Sequence, residues 1–358
     1  MKARMSQMMK RPAELAGLLL FACLFASTAF AQIDSGVCGQ PLRGGGNNRQ
    51  PRNCPQLSLI KRIPSDLISL TNQNHGEQLN QNKLPGQPTY IQVDYPGAVA
   101  TDINGGPNLE GTSVGNWTDT SGAIHGFTLT AQGNFTSFDF PGSTFTEPNY
   151  INLEGVIVGL YHDAAGTSHG FVLKNGNFTT LDYPGEPGSG LSGINPLGDI
   201  AGFYCSTPVC GAGSTLHSFV LSRTGVYTSF DPPDATGSYA STVSAIGAVA
   251  GSYTTVAGTT CETQCEGYLL FRGNYTTISP PGSVFTVMGG GNLQNNLVGV
   301  YLDASGNGHG FLFANGAYTS FDYPGAAFTQ ATGINDLGEI VGIIADSAGN
   351  QHGFIRTP

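Results

Sequence analysis

The chain has 358 residues, with 14 Lys and Arg against 24 Asp and Glu and a formal net charge of −10. So acidic a chain repels phosphate backbones, which excludes nucleic acid as an expected partner. Beyond the N-terminus no segment has the unbroken apolar length of a membrane span.

Lys2, Arg4, Lys10 and Arg11 precede an apolar stretch that starts at Leu15 and ends at Ala29-Phe30-Ala31. A basic n-region, an h-region too short to cross a bilayer and an A-x-A site predict a signal peptide over 1–31. Export to the periplasm, cell envelope or medium follows. Leu20-Phe21-Ala22-Cys23 offers the alternative of a lipid anchor at Cys23, although Phe21 fits such a box poorly.

Residues 32–88 hold six Lys or Arg against three acids and are rich in Asn, Gln, Gly and Pro; residues 89–358 hold four basic residues against twenty acids. The first segment lacks the apolar content of a core and reads as a low-complexity tether, with one short helix near Pro64 to Thr71. Cleavage leaves six cysteines, and an even number in an exported chain favours disulfides. Neighbours in sequence predict Cys38 with Cys54, Cys205 with Cys210, and Cys261 with Cys265. No C-x-x-C pair or His pair at finger spacing occurs, so neither a metal nor a cofactor is expected.

From residue 89 onward a repeat of about 45 residues dominates. A D-x-P-G-like motif recurs at Asp94, Asp139, Asp182, Asp231, Ser279 and Asp322, and an H-G-F-like motif at His125, His169, His217, Glu266, His309 and His352. A third marker, N-x-x-G followed by an apolar-apolar-Gly triplet, starts at Asn108, Asn152, Asn195, Ser244, Asn292 and Asn335. Each copy reads as four short strands separated by turn residues, with Val, Ile, Tyr, Phe and Thr in the strands and no useful helical period. Four strands per repeat of this length predict a β-propeller blade.

The last copy stops at HGFIRTP, three strands long, while TYIQVD at 89–94 is a fourth strand without a blade. Supplying it from the N-terminal end closes the ring and leaves no unpaired edge. The expected fold is therefore all-β, a six-bladed propeller over 89–358, and a monomer.

H-G-F after D-x-x-G, with G-I-N-x-x-G-x-I-V-G before it, resembles the bacterial extracellular repeat proteins of the HAF family, over residues 89–358. The resemblance implies secretion and a repeat architecture, and it implies no catalytic residues. The fourth copy departs furthest, with Ser244, Glu266 and Ser279 in place of Asn, His and Asp.

His and Asp recur 13 or 14 residues apart: His125 with Asp139, His169 with Asp182, His217 with Asp231, His309 with Asp322, and across the closure His352 with Asp94. In the fourth copy both change together. Joint loss predicts structural pairs on neighbouring strands rather than a metal ring, since third strands lie away from a propeller axis. The aromatic of I-V-G-x-Y (Trp117, Tyr161, Tyr204, Tyr253, Tyr301) reads as packing between blades.

Strand alternation puts the N-x-x-G and N-G turns on one rim, with Lys174, Arg223, Arg272 and Arg356, and the D-x-x-G and P-G turns on the other. The second rim also carries both Cys insertions, and loops pinned by disulfides are where binding specificity usually sits. Candidate ligand residues there are Phe145, Tyr239, Phe285 and Phe328, which stack on sugar rings or fill gaps between blades, together with Glu262 and Glu266. The expected function is a secreted module binding an extracellular or envelope glycan or protein, without catalysis. The alternative is a polysaccharide hydrolase or lyase using carboxylates on that rim. No G-x-S-x-G, P-loop, H-E-x-x-H or dinucleotide fingerprint is present.

Overall fold

The computed structural model describes residues 87–211, 214–257, 261, 264–294 and 296–358. The signal peptide, the tether, the lipid anchor and the Cys38–Cys54 pair all lie outside the described residues. What is described is all β, in strands of four to seven residues. Among the described residues no helix is long and apolar enough to cross a membrane.

Four consecutive strands pair antiparallel over each of 100–138, 145–180, 188–230, 237–278 and 285–321. These are units one to five. Unit six takes Phe328–Ile334, Ile340–Ala345 and Gln351–Thr357 from the C-terminal end and Thr89–Val93 from the other. Thr89 lies opposite Thr357, and Val93 opposite Gly353.

The motifs have steric reasons. A Cβ on the second-strand Gly of every unit (Gly115, Gly159, Gly202, Gly251, Gly299, Gly342) would come under 3.0 Å from both the first strand's carbonyl and the third strand's aromatic ring. The Gly of I-V-G and the Phe of H-G-F are thus one packing unit, in which ring and backbone fill the space a side chain would need.

Every first strand also shifts register once against its second, between Ile103 and Gly105 in unit one and at the equivalent place in the others. In units one, two, four and six the residue freed by the bulge reaches the next unit. Asn104 Nδ2 donates to Pro148 O at 3.0 Å, Asn149 Nδ2 to Leu191 O at 3.0 Å and Ser241 Oγ to Met288 O at 3.2 Å. Thr332 of unit six does the same to Ile103 O of unit one, at 2.6 Å.

Burial follows the same order. Six apolar clusters each join two successive units, Phe171 to Val114 between units two and one for example, and one of them joins Val93 and Val341 of unit six to Ile103 and Phe127 of unit one. A seventh cluster draws on units two to six at once. Most of the hydrophobic area therefore lies between units, which makes each unit's stability depend on its neighbours.

Candidate functional site

At the end carrying the D-x-x-G turns, each turn is tied by its own aspartate. Asp119 Oδ1 accepts from the amides of Ser121 (2.7 Å) and Ala123 (2.9 Å); Asp163, Asp303 and Asp346 repeat the pattern. Donors favour the charged carboxylate: the Ser121 hydroxyl and then the Ala123 amide hold Asp119 down at about 2, and the Asn307 amide and side chain hold Asp303 there. The other oxygen of each of these four carboxylates lies 3.6 to 3.8 Å from a histidine Nε2.

Each of those histidines turns its Nδ1 to a second carboxylate. The distances are 3.0 Å for His125 to Asp139, 2.8 Å for His169 to Asp182, 2.9 Å for His309 to Asp322 and 2.6 Å for His352 to Asp94; His217 lies 2.9 Å from Asp231. The imidazole faces are covered too. Trp117 stacks on His125 and on Tyr95 of the preceding motif, and Tyr183, Tyr204 and His217 form the same pile. His125, His169 and His309, each with two carboxylates and a ring face engaged, brace strands together, while His217 engages Nδ1 and a face and His352 its two carboxylates. Unit four, which has Glu266 instead, makes a different bond: Tyr253 Oη donates to Glu266 Oε2 at 2.8 Å.

Both sequence-predicted insertions carry disulfides, Cys205–Cys210 and Cys261–Cys265. All four sulfur-bearing residues are buried, in the same cluster as Leu160, Phe203, Tyr239, Phe285 and Phe328. Cys210 N donates to Ser168 Oγ of unit two, so the first insertion lies across its neighbour. This corrects the expected ligand set. Tyr239, Phe285 and Phe328 offer no open face, being 4%, 4% and 5% exposed, and half-buried Phe145 is stacked on His162. Glu262 lies outside the described residues. The structure brings most of the named residues together, but as the filling of this end.

Below this filling, the first strands of units one, two and six bury Asp102, Glu147 and Gln330 where those of units three to five have Gly190, Tyr239 and Val287. Asp102 is 5% exposed and accepts from Asn116 Nδ2 at 3.1 Å and from Gln351 Nε2. Glu147 of unit two is 3% exposed, and its Oε1 has no hydrogen-bond partner among the described residues. Burial raises Asp102 to about 6, and burial together with the Asp102 charge pushes Glu147 well above the usual carboxylate range.

The opposite end carries the N-x-x-G turns, built by the same device. Asn108 Oδ1 accepts from the amides of Glu110 and Thr112, both at 3.0 Å, and the asparagines of units two, three, five and six do likewise. Nδ2 is left over to bond the neighbouring turn: Asn195 to Ser244 O at 3.0 Å, Asn292 to Asn335 O at 2.8 Å. Turns of five units and the strand end Thr242–Val243 of unit four meet around a depression of about 60 Å³, lined among others by Leu109, Tyr150, Leu153, Leu293 and Asp336. That is room for a few waters and far smaller than the roughly 300–1,000 Å³ of sites that enclose a small ligand. Asp336 accepts from Leu293 N at 2.8 Å and is raised by desolvation; burial and the Asp336 charge push Tyr150 up to about 12.

Sequence reasoning missed what surrounds this depression. Each N-x-x-G turn carries a Leu or Ile at one middle position: Leu109, Leu153, Leu197, Ile246, Leu293 and Leu337. Five of the six are exposed, from 39% for Leu153 and Ile246 to 52% for Leu109. Leu109, Leu153 and half-buried Leu293 line the depression, and exposed Leu197, Ile246 and Leu337, one position later in their turns, stand outside its lining at the same end. The signal was legible, since a turn rarely repeats an apolar residue that its own conformation does not need.

No known family's model matches the chain, and no curated protein matches it. Among solved structures, AofleA from Arthrobotrys oligospora aligns with a TM-score of 0.47 at 13% identity, over 75% of this chain and 86% of that one. A fucose-recognising fungal lectin with a six-bladed β-propeller fold, from Aleuria aurantia, gives 0.43 at 12% identity over 75% and 91%. A gluconolactonase from Xanthomonas campestris gives 0.44 at 13% over 75% and 94%. Lectin and enzyme align equally well, so function has to be argued from the residues of this chain.

Proposed function

We propose that the chain is a secreted six-bladed β-propeller of the HAF-repeat kind, its ring closed by Thr89–Val93, and that it works as a binding module for an extracellular or envelope ligand. The ring reading is supported by the pairing of Thr89–Val93 with Gln351–Thr357, the bond from Thr332 to Ile103 and the apolar cluster between units six and one. A closed scaffold of short, hydrogen-bonded turns is a rigid platform.

The observation that carries the binding reading is the set of five exposed aliphatic residues on the N-x-x-G turns, Leu109 and Leu153 of them lining the depression. Burying those side chains gains free energy, and the blades do not bury them, so a partner that covers them does. Aliphatic groups favour a protein partner. Sugar recognition uses flat aromatic faces, and Tyr239, Phe285 and Phe328 have theirs covered. A glycosidase needs one protonated and one ionised carboxyl facing the substrate. Here Asp119 and Asp303 are held ionised by hydrogen bonds; of the carboxyls inclined to keep a proton, Asp102 and Glu147 are buried and half-buried Asp336 accepts from Leu293 N.

The test is to present the exported chain to immobilised envelope proteins and to a polysaccharide panel, recording retention and reducing ends. Saturable retention on protein without sugar release is expected, lost on combining Leu109→Asp, Leu153→Asp and Leu337→Asp. Retention on polysaccharide that follows replacement of residues 206–209 instead would move the site to the disulfide end. Sugar release abolished by Glu266→Gln would make the chain a hydrolase or lyase.

A further inference from the structure

The first middle position of the N-x-x-G turn is apolar in five units, with Leu109, Leu153, Pro196, Ala245 and Leu293, and holds a carboxylate, Asp336, in the sixth. Asp336 lines the depression together with Leu109, Leu153, Pro196 and Leu293. The turn itself does not call for the acid, because Asn335 Oδ1 takes the amides of Leu337 and Glu339 as the asparagines of the other units do theirs. One oxygen of Asp336 accepts from Leu293 N at 2.8 Å, and the other has no hydrogen-bond partner among the described residues. Tyr150 lines the same depression, near enough for the Asp336 charge to act on its hydroxyl, and that hydroxyl makes no hydrogen bond among the described residues either.

We infer that the depression receives a lysine side chain of the protein partner, with its ammonium at Asp336 and Tyr150 and its stem against Leu109, Leu153 and Leu293. Three observations select this occupant. Charge comes first: no Lys or Arg lines the depression, and exposed Glu110 and Glu154 follow Leu109 and Leu153, so a cation is wanted and none is at hand. Chemistry comes second, since an ammonium on an aliphatic stem supplies donors to a carboxylate and a hydroxyl while its methylenes cover leucines. Size comes third. About 60 Å³ admits the tip of one unbranched chain, and lysine carries a compact charge where arginine carries a wide planar fork. A divalent cation would ask for six or more oxygens, and Asp336 is the one carboxylate in the lining.

This rests on the binding reading and narrows it to partners that present a lysine from an apolar surface. A free amine would leave Leu197, Ile246 and Leu337 in water, whereas a protein around the lysine covers them as well. A second copy of the chain would bring one acidic mouth against another. The bond from Leu293 N to Asp336 also braces two turns, and an asparagine keeps that brace while removing the charge.

Titrating the exported chain with Nα-acetyl-lysinamide, followed in the methyl resonances of Leu109, Leu153 and Leu293, tests the proposal without any partner. Saturable shifts are expected, with binding weaker by about tenfold or more for Nα-acetyl-norleucinamide, which keeps the stem and lacks the charge. Asp336→Asn is expected to weaken the lysine probe by a similar factor of about ten and to leave the melting temperature unchanged. Equal binding of the two probes would make the depression an apolar cup and overturn the lysine. Lysine binding unchanged in Asp336→Asn would take the ammonium away from this carboxylate, and no saturable shift would overturn the site. Should Asp336→Asn lower the melting temperature, the comparison of the two probes on the unaltered chain still decides. Failure of this titration leaves the retention assay to decide whether a protein binds this end, and failure of retention leaves the titration standing.

Discussion

The two ends of the molecule use the same turn chemistry and finish differently. At both, an Asn or Asp at the first position of x-x-x-G accepts the amides two and four residues on. At the D-x-x-G end, two insertions fold inward, bury their disulfides and join Phe285, Phe328 and Tyr239 in a cluster shared by five units. At the N-x-x-G end none of the described residues folds inward, and five of the turns present an aliphatic side chain outward. The lesson is that a disulfide-pinned loop is not by itself a recognition loop: where its cysteines are buried it serves as a plug, and the recognition surface we propose is at the other end.

Truncating the filling of the D-x-x-G end has the largest expected effect. Phe328→Ala empties a buried site between units and lowers stability by about 3–5 kcal/mol in denaturant unfolding. Leu153→Ala at the other end shifts it by less than about 0.5 kcal/mol. Equal losses would erase the contrast between plug and platform.

Next in size are the bridges. Each closes a loop of only four or five residues, and the chain-entropy account gives about 2 kcal/mol apiece. Cys205→Ser/Cys210→Ser is expected to lower the denaturant midpoint accordingly while leaving retention on a protein partner unchanged. Loss of retention without loss of stability would return recognition to this end.

A third effect depends on pH. Asp102 titrates at about 6 in the folded chain against 3.8 as the ordinary value. Between these pH values the folded form holds a proton that the unfolded form has released, so stability falls as pH rises from about 4 to about 6 and stays lower above. Asp102→Asn removes that penalty. It is expected to stabilise by about 1–3 kcal/mol at pH 8 and by almost nothing at pH 4. A gain independent of pH would show that the carboxyl does not titrate in this window.

The smallest effect belongs to the exposed turn aspartates. Hydrogen bonds hold Asp119 and Asp303 at about 2, below their ordinary value, so what they contribute is complete above about pH 4 and is lost as pH falls towards 2. Asp303→Asn should blunt the acid limb of the melting temperature between pH 4 and 2 and leave its value at pH 7 nearly untouched. An unchanged acid limb would mean that this turn is held by its backbone bonds alone.

Much of the local structure was legible because it is periodic and short-range. The Asn and Asp of the turns, the Gly that the following ring packs on, and His and Asp 13 or 14 residues apart all report geometry between adjacent strands, which spacing alone encodes. Which way an aromatic faces was not legible. Phe285 and Phe328 sit at equivalent places in their repeats and read equally well as sugar platforms, and only the converging of five units buries them. The carboxyls of Asp102 and Glu147 look like ordinary strand acids until two units meet around them.

What the sequence by itself determined is the unit: four strands, their turns, and the missing strand that Thr89–Val93 completes, because hydrogen-bond pairing and side-chain alternation act over a few residues. What only the tertiary structure decided is which end is filled and which is open. That depends on whether side chains from different units reach one another, and distances between units are set by packing rather than by any spacing within a repeat.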